Sequence, residues 1–122
     1  MSDRTEAVLA GRRILVVEDE FLIAEELREA LEAHGAVVVG PIATVKAALA
    51  AVHAQEPLDG ATLDMTLGRE RSFDVAYALR DRRVPFVILS GYGESGLPEN
   101  LRSAPRCEKP FDIRRIVEAL QS

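Results

Sequence analysis

Four short runs in this 122-residue chain, three of them largely apolar, each end in side chains that phosphoryl chemistry can use. Ile14 to Val17 runs into Glu18 and Asp19, Leu58 to Leu63 into Asp64, Phe86 to Leu89 into Ser90, and Ala104 to Glu108 into Lys109-Pro110-Phe111. If these runs are parallel strands of one sheet, their carboxyl ends share one rim, where sites of open α/β sheets form. Three carboxylates, a hydroxyl and an ammonium then converge. Mg²⁺ takes oxygen ligands and usually binds through one or two carboxylates, waters and a phosphate. Asp19 and Asp64 are the candidate direct ligands, with Glu18 acting through water and the Thr66 backbone carbonyl completing the protein's share. Asp64 is also the candidate nucleophile, giving an aspartyl phosphate. Lys109 would neutralise charge on the phosphoryl oxygens, and Ser90 would donate a hydrogen bond to one of them. By itself, Glu18-Asp19-Glu20 would only place negative charge at a helix N-terminus; Asp64 at a second strand end turns it into a candidate site. Of fifteen basic residues, only Lys46 and Lys109 are lysine. A compact ammonium before a proline, in a chain that otherwise uses arginine, points to a contact that a planar guanidinium would not make. The Lys109-Pro110 bond is a candidate for the cis isomer, a minority state even before proline.

The elements that must position these groups alternate between short apolar runs and amphipathic stretches, the pattern of a sheet with crossover helices. Strands are expected at Arg12–Glu18, Ala36–Gly40 (closed by Pro41), Leu58–Asp64, Val84–Ser90 and Ala104–Glu108. The first helix starts at Glu20, repeats Ile23, Leu27, Ala30 and Leu31, and stops at Gly35 as C′ residue. Thr44 is the expected N-cap of a second helix through Val45, Ala48, Leu49 and Val52. A loop with Gly68 precedes a helix from about Ser72 using Val75, Ala76 and Leu79. Ile113, Ile116, Val117 and Leu120 mark the last helix. A further helix at Glu94–Ser103 is the least favoured, because Gly96 and Pro98 interrupt it. Right-handed crossovers leave few topologies for such a chain.

Composition bounds the function. The chain is 48 % hydrophobic and 29 % charged, with net charge −5, an ordinary globular balance. No basic block suggests direct nucleic-acid binding, and no run nears the roughly 20 apolar residues of a membrane span. Met1 to Gly11 lacks an apolar signal core and reads as an N-terminal extension. The single Cys107 excludes an internal disulfide and fits a reducing, cytoplasmic setting; it reads as a packing thiol in a strand.

Val17-Glu18-Asp19-Glu20, Leu63-Asp64-Met65, Ile88-Leu89-Ser90-Gly91 and Lys109-Pro110-Phe111, in this order and spacing, resemble the motifs of a response-regulator receiver domain of two-component signalling, over about Arg12 to Leu120. Pro85 to Gly93 is similar to a subgroup of mostly single-domain alphaproteobacterial regulators with a Phe-Ala-Thr-Gly-hydrophobic-Tyr motif (FATGUY), with Leu89-Ser90 standing where Ala-Thr would. The resemblance implies a flavodoxin-like (βα)₅ fold, a doubly wound parallel five-stranded sheet in order 2-1-3-4-5, over residues 12–122 without an output domain. It implies Asp64 as phosphoacceptor, Glu18 and Asp19 as the acidic pair for Mg²⁺, Ser90 as switch hydroxyl and Lys109 as phosphate contact. A histidine kinase or phosphotransfer protein would supply the phosphoryl group, and an unidentified downstream protein would read it. The chain would be a cytoplasmic monomer or a phosphorylation-dependent dimer, and not an enzyme with a separate substrate. One departure stands out: receivers usually carry Tyr or Phe three residues before the lysine, and here that residue is Arg106. Tyr92 or the segment after it is then the expected carrier of the signal, with Arg106 either a switch residue or a plain surface residue.

Other chemistries fit less well. Gly91-Tyr92-Gly93-Glu94-Ser95-Gly96 spells a dinucleotide fingerprint, but after the fourth strand and before Leu97-Pro98 rather than a regular helix. An aspartate-nucleophile phosphatase of the haloacid dehalogenase type would carry a second Asp where Thr66 stands. A Ser-His-Asp hydrolase needs a histidine near Ser90, whereas His34 and His53 fall at the opposite edge. A receiver-like binding module that has lost phosphorylation would not need Glu18, Asp19, Asp64, Ser90 and Lys109 together.

Overall fold

A computed structural model describes residues 8–91 and 95–121. Among these, five strands make one parallel sheet: β1 (Arg13–Val17), β2 (Val37–Ile42), β3 (Gly60–Asp64), β4 (Phe86–Ser90) and β5 (Arg106–Glu108). Their spatial order is β2-β1-β3-β4-β5, the expected doubly wound, flavodoxin-like arrangement. The helices are α1 (Phe21–Ala33), α2 (Val45–Val52), α3 (Phe73–Asp81) and α4 (Ile113–Gln121).

The central strands are apolar on both faces because helices cover both. Alternate residues Ile14, Val16, Val87 and Leu89 pack with Leu27 and Leu31 of α1 and with Ile116, Val117 and Leu120 of α4. The residues between them, Leu15, Val17, Ala61, Leu63 and Ile88, face Ala48 and Val52 of α2 and Val75 and Leu79 of α3. Two helices on each side of the sheet thus anchor the strand ends that form the rim.

Local chemistry sets the helix ends. α1 closes in a Schellman motif: Gly35, at φ 93, donates to the Glu32 carbonyl and Ala36 donates to that of Leu31, satisfying carbonyls the helix leaves open. Thr44 caps α2, its hydroxyl accepting from the Ala47 N–H at 3.2 Å.

Four features depart from the sequence reading. The expected helix at Glu94–Ser103 is, in its described part, only a 3₁₀ turn at Glu99–Leu101. Gly96 sits at φ 97 and Pro98 is extended (ψ 149), so the chain enters the turn too late to build a regular helix. β2 does not end before Pro41 but runs through it to Ile42. It is an edge strand, where a proline costs no ladder bond on the open side, and a register shift between Leu15 and Val17 of β1 absorbs the extra residue. A hairpin of Thr66–Leu67 with Glu70–Arg71 follows β3 where only a loop was expected. Finally, Leu9, in the stretch read as an N-terminal extension, is fully buried in the α1–α4 core, and its N–H donates to the His34 carbonyl at 2.8 Å.

Candidate phosphoryl-transfer site

β1, β3, β4 and β5 deliver their last residues to one rim. β1 and β3 are in register from Ile14–Gly60 to Val17–Leu63, so Glu18 and Asp19 emerge beside Asp64. β3 and β4 pair Asp64 with Leu89, which puts Ser90 one residue further on, and β5 pairs Glu108 with Ser90, which brings Lys109 next. The Lys109 N–H extends that ladder, donating to the Ser90 carbonyl at 2.7 Å. The Lys109-Pro110 bond is cis, as is Gly40-Pro41.

Carboxylate oxygens of Glu18, Asp19 and Asp64 all lie within 4.8 Å of one another. Glu18 and Asp64 are buried, at 2 % and 5 % exposure, while Asp19 is open to solvent. The Lys109 ammonium donates to Asp64 Oδ2 at 3.1 Å, and lies 3.0 Å from Glu18 Oε1 and 3.5 Å from Glu20 Oε1. One compact ammonium is thus within ion-pair distance of three carboxylates, a position that a planar guanidinium would not take.

Backbone groups hold the acids in place. Glu18 Oε2 accepts from the Glu20 N–H at 3.1 Å, and Asp19 Oδ2 accepts from the Gly68 N–H at 2.8 Å. The hairpin makes the Gly68 bond possible. With Gly68 at φ 61 in its loop, the turn aims an N–H back across the rim at Asp19. Thr66 donates its N–H to the Asp64 carboxylate. Ser72, expected to start α3, stands at the N-cap position, but its hydroxyl makes no cap bond; it donates to the Asp64 carbonyl at 2.5 Å instead. Ser72 and Gly68 were legible only as a helix start and a loop glycine, because their partners lie across tertiary contacts.

The charge balance is strained by design of the site. Burial raises Glu18 from 4.5 to about 7, helped by the neighbouring Asp64 and only partly opposed by the Glu20 N–H and Lys109. Burial likewise raises Asp64, outweighing the bonds from Glu18, Lys109 and Thr66. Burial pulls the Lys109 ammonium down, but Glu18 and Asp64 outweigh it and leave it raised. One buried ammonium is therefore saturated while the carboxylates remain in excess. Glu18 Oε1, wholly buried, has an ion pair with Lys109 but no well-directed hydrogen bond. An excess of hard oxygen donors with one orphaned lone pair is the chemistry that a divalent cation satisfies. The residues present fit Mg²⁺.

Ser90 is fully buried, and its hydroxyl accepts from Arg106 Nε at 3.1 Å. Arg106 is thus no plain surface residue, although the residue as a whole is exposed. Tyr92 lies outside the described residues. Cys107 is half-buried against the α1–α4 core, and burial raises its thiol despite nearby Arg115, as a packing residue requires. His34 and His53 cap the C-terminal ends of α1 and α2, at the rim away from Ser90. No α-helix follows the glycine-rich stretch within residues 95–103 to hold a pyrophosphate.

The family model described as response regulator receiver domain matches residues 14–121. The chain is 30 % identical over 114 residues to the transcriptional regulatory protein PdtaR of Mycobacterium tuberculosis, covering 90 % of this chain and 55 % of that protein. It spans about half the length of the curated relatives it matches. Among solved structures, SdrG from Sphingomonas melonis Fr1 superposes with a TM-score of 0.69 at 36 % identity, covering 92 % of this chain and 98 % of SdrG. The BeF3-activated conformation of SdrG, described from Pseudomonas melonis Fr1, gives 0.72 at 40 %, covering 91 % and 94 %. Rim geometry and sequence agree: this chain belongs to the response-regulator receiver domains of two-component signalling.

Proposed function

We propose that the chain accepts a phosphoryl group on Asp64 from a histidine kinase or phosphotransfer protein, with Mg²⁺, and that the modified rim changes its affinity for a downstream protein. The observation that carries this reading is the buried Asp64 carboxylate held at 3.1 Å by Lys109 beside Glu18 and Asp19. Asp19 and Asp64 would hold Mg²⁺ directly, with the Thr66 carbonyl, and Glu18 through water. Bound there, the ion screens the excess negative charge and the phosphoryl oxygens. In the transfer, an Asp64 oxygen forms the new bond to phosphorus while the bond to the donor nitrogen breaks, and that nitrogen keeps the electron pair. Lys109 follows the charge onto the phosphoryl oxygens, and the hydroxyl of Ser90 donates to one of them. None of these steps needs a proton at Asp64, so the Lys109 and Thr66 bonds that oppose its protonation favour the reactive form.

The rim also offers a surface for the donor. Phe21 and Leu22, in the first turn of α1, are 74 % and 79 % exposed. A cavity of about 360 Å³ between α1 and the segment after β5 is lined by Glu20, Ile23, Glu26, Lys109, Pro110 and Phe111. A partner seated on both would stand over Asp64. Incubation with acetyl phosphate and Mg²⁺, read on a phosphate-affinity gel, tests the assignment: the wild type shifts, and Asp64→Ala and chelated samples do not. A shifted Asp64→Ala protein would refute it.

A further inference from the structure

Resting on that reading of Asp64, we propose that Arg106 is a positioning residue for the phosphoryl group, acting through Ser90. Its guanidinium fixes the hydroxyl oxygen from one side, so that the hydroxyl proton is directed to a phosphoryl oxygen on the other.

The register makes the contact possible. Arg106 pairs with Ile88, two residues before Ser90 on the neighbouring strand, and both side chains belong to the same face of the sheet, since alternate residues share a face. The long arginine side chain spans those two residues and places Nε 3.1 Å from Ser90 Oγ.

Chemistry then sets the direction of the bond. A guanidinium has donors and no acceptor, whereas a hydroxyl has one proton and two lone pairs. Arg106 can only give its N–H to Oγ, and the Ser90 proton stays available to a second group. Ser90 is fully buried, so that proton needs an acceptor. A hydroxyl that accepts from a cation is also a stronger donor, because successive hydrogen bonds polarise one another. The sequence of donors, Arg106 to Ser90 to phosphoryl oxygen, runs one way throughout.

Arg106 and Lys109 then divide the work from one strand end. Lys109 meets Asp64 directly; Arg106 reaches the same centre through a hydroxyl. Arg106 also lines a cavity of about 300 Å³ with Ser95, Gly96, Leu97 and Arg102.

Gln is the informative substitution, since its side-chain nitrogen stands at the same number of bonds from Cα as arginine Nε. Beryllium trifluoride with Mg²⁺, a phosphoryl mimic, would be titrated into the wild type, Asp64→Asn, Arg106→Ala, Arg106→Gln, Ser90→Ala and the Arg106→Ala/Ser90→Ala double variant, with binding followed by amide chemical shifts. Arg106→Ala is expected to weaken binding about tenfold, or about 1.4 kcal/mol, and Arg106→Gln to recover part of that loss. In the Ser90→Ala background, removing Arg106 should change affinity less than about twofold, because the connecting hydroxyl is already gone. Wild-type affinity in Arg106→Ala, or the full tenfold loss repeated without Ser90, would overturn the proposal. Ser90→Gly also removes the hydroxyl and serves as the background if Ser90→Ala does not fold. Failure of the wild type to bind the mimic, or binding by Asp64→Asn, instead refutes the Asp64 assignment itself.

Discussion

Lys109 shows how much of this site rests on the shape of one cation. Its nitrogen faces Asp64, Glu18 and Glu20 at 3.1, 3.0 and 3.5 Å, an arrangement for tetrahedrally disposed donors rather than a planar fork. Lys109→Arg keeps the charge, yet it should lower phosphoryl uptake from acetyl phosphate at least severalfold; uptake at the wild-type rate would show that charge alone suffices. A second residue makes a prediction about stability. Thr62 lies fully buried in β3, and its hydroxyl has no hydrogen-bond partner. Thr62→Val exchanges that hydroxyl for a methyl of similar size and should stabilise the protein by about 1 kcal/mol. Urea denaturation reads the change, and a destabilised variant would mean that the hydroxyl is satisfied in solution.

At the scale of elements, Gly40 and Gly68 do different work. Gly40 lies in the bulge of β2 at φ 101, and an added Cβ would meet the Val16 carbonyl oxygen at 3.0 Å and the Ile42 nitrogen at 2.8 Å. Gly68 lies in the hairpin at φ 61, with nothing within 4 Å of an added Cβ. Both positions strain an L residue, but only Gly40 adds a collision with backbone. Gly40→Ala should therefore cost about 3 kcal/mol or more, and Gly68→Ala only about 1 kcal/mol, in parallel denaturant titrations. Equal losses would show that conformation, and not space, dominates at Gly40. Gly68→Ala also retains the N–H that Asp19 accepts, so its Mg²⁺ affinity should stay near wild type. The reduction of the expected fourth helix to a 3₁₀ turn belongs to this scale too. Gly96 and Pro98 weaken any helix there, and the chain spends three residues on a turn that buries Leu101.

For the whole molecule, excess buried negative charge links stability to pH and to metal. Glu18 rises from 4.5 to about 7 and Asp64 rises as well, burial leading in both. Between roughly pH 4.5 and 7 the folded protein therefore holds more protons than the unfolded chain, and stability falls as pH rises through that window. For Glu18 alone the loss is on the order of 1–3 kcal/mol. Glu25 and Asp112 are lowered by hydrogen bonding, from the Arg28 side chain and from the Arg114 backbone and side chain respectively, so they titrate below this window. Lys109, raised despite burial, loses its contribution only at alkaline pH. Denaturation of metal-free protein at pH 5 and pH 7.5 should show the drop, and millimolar Mg²⁺ should remove most of it at the higher pH. A stability that climbs across this range in chelator would show that the acids are ionised without a cation.

Strand ends, helix periods and caps were legible in the sequence because each depends on neighbours in the chain: short strand-like runs ending in polar residues, Gly35 closing α1, Thr44 opening α2. The convergence of Glu18, Asp19, Asp64, Ser90 and Lys109 could be inferred as well, since parallel strands with crossovers leave few ways to arrange their ends. Tertiary packing decided what local sequence does not encode. Pro41 stays inside a strand only because that strand is at the sheet edge. Ser72 gives its hydroxyl to Asp64, and Gly68 its N–H to Asp19, because a hairpin folds back over the rim. Arg106 meets Ser90 through the register of two strands joined by a long connection. Such contacts arise between residues far apart in the chain, and their partners are chosen by geometry that exists only once the sheet has formed.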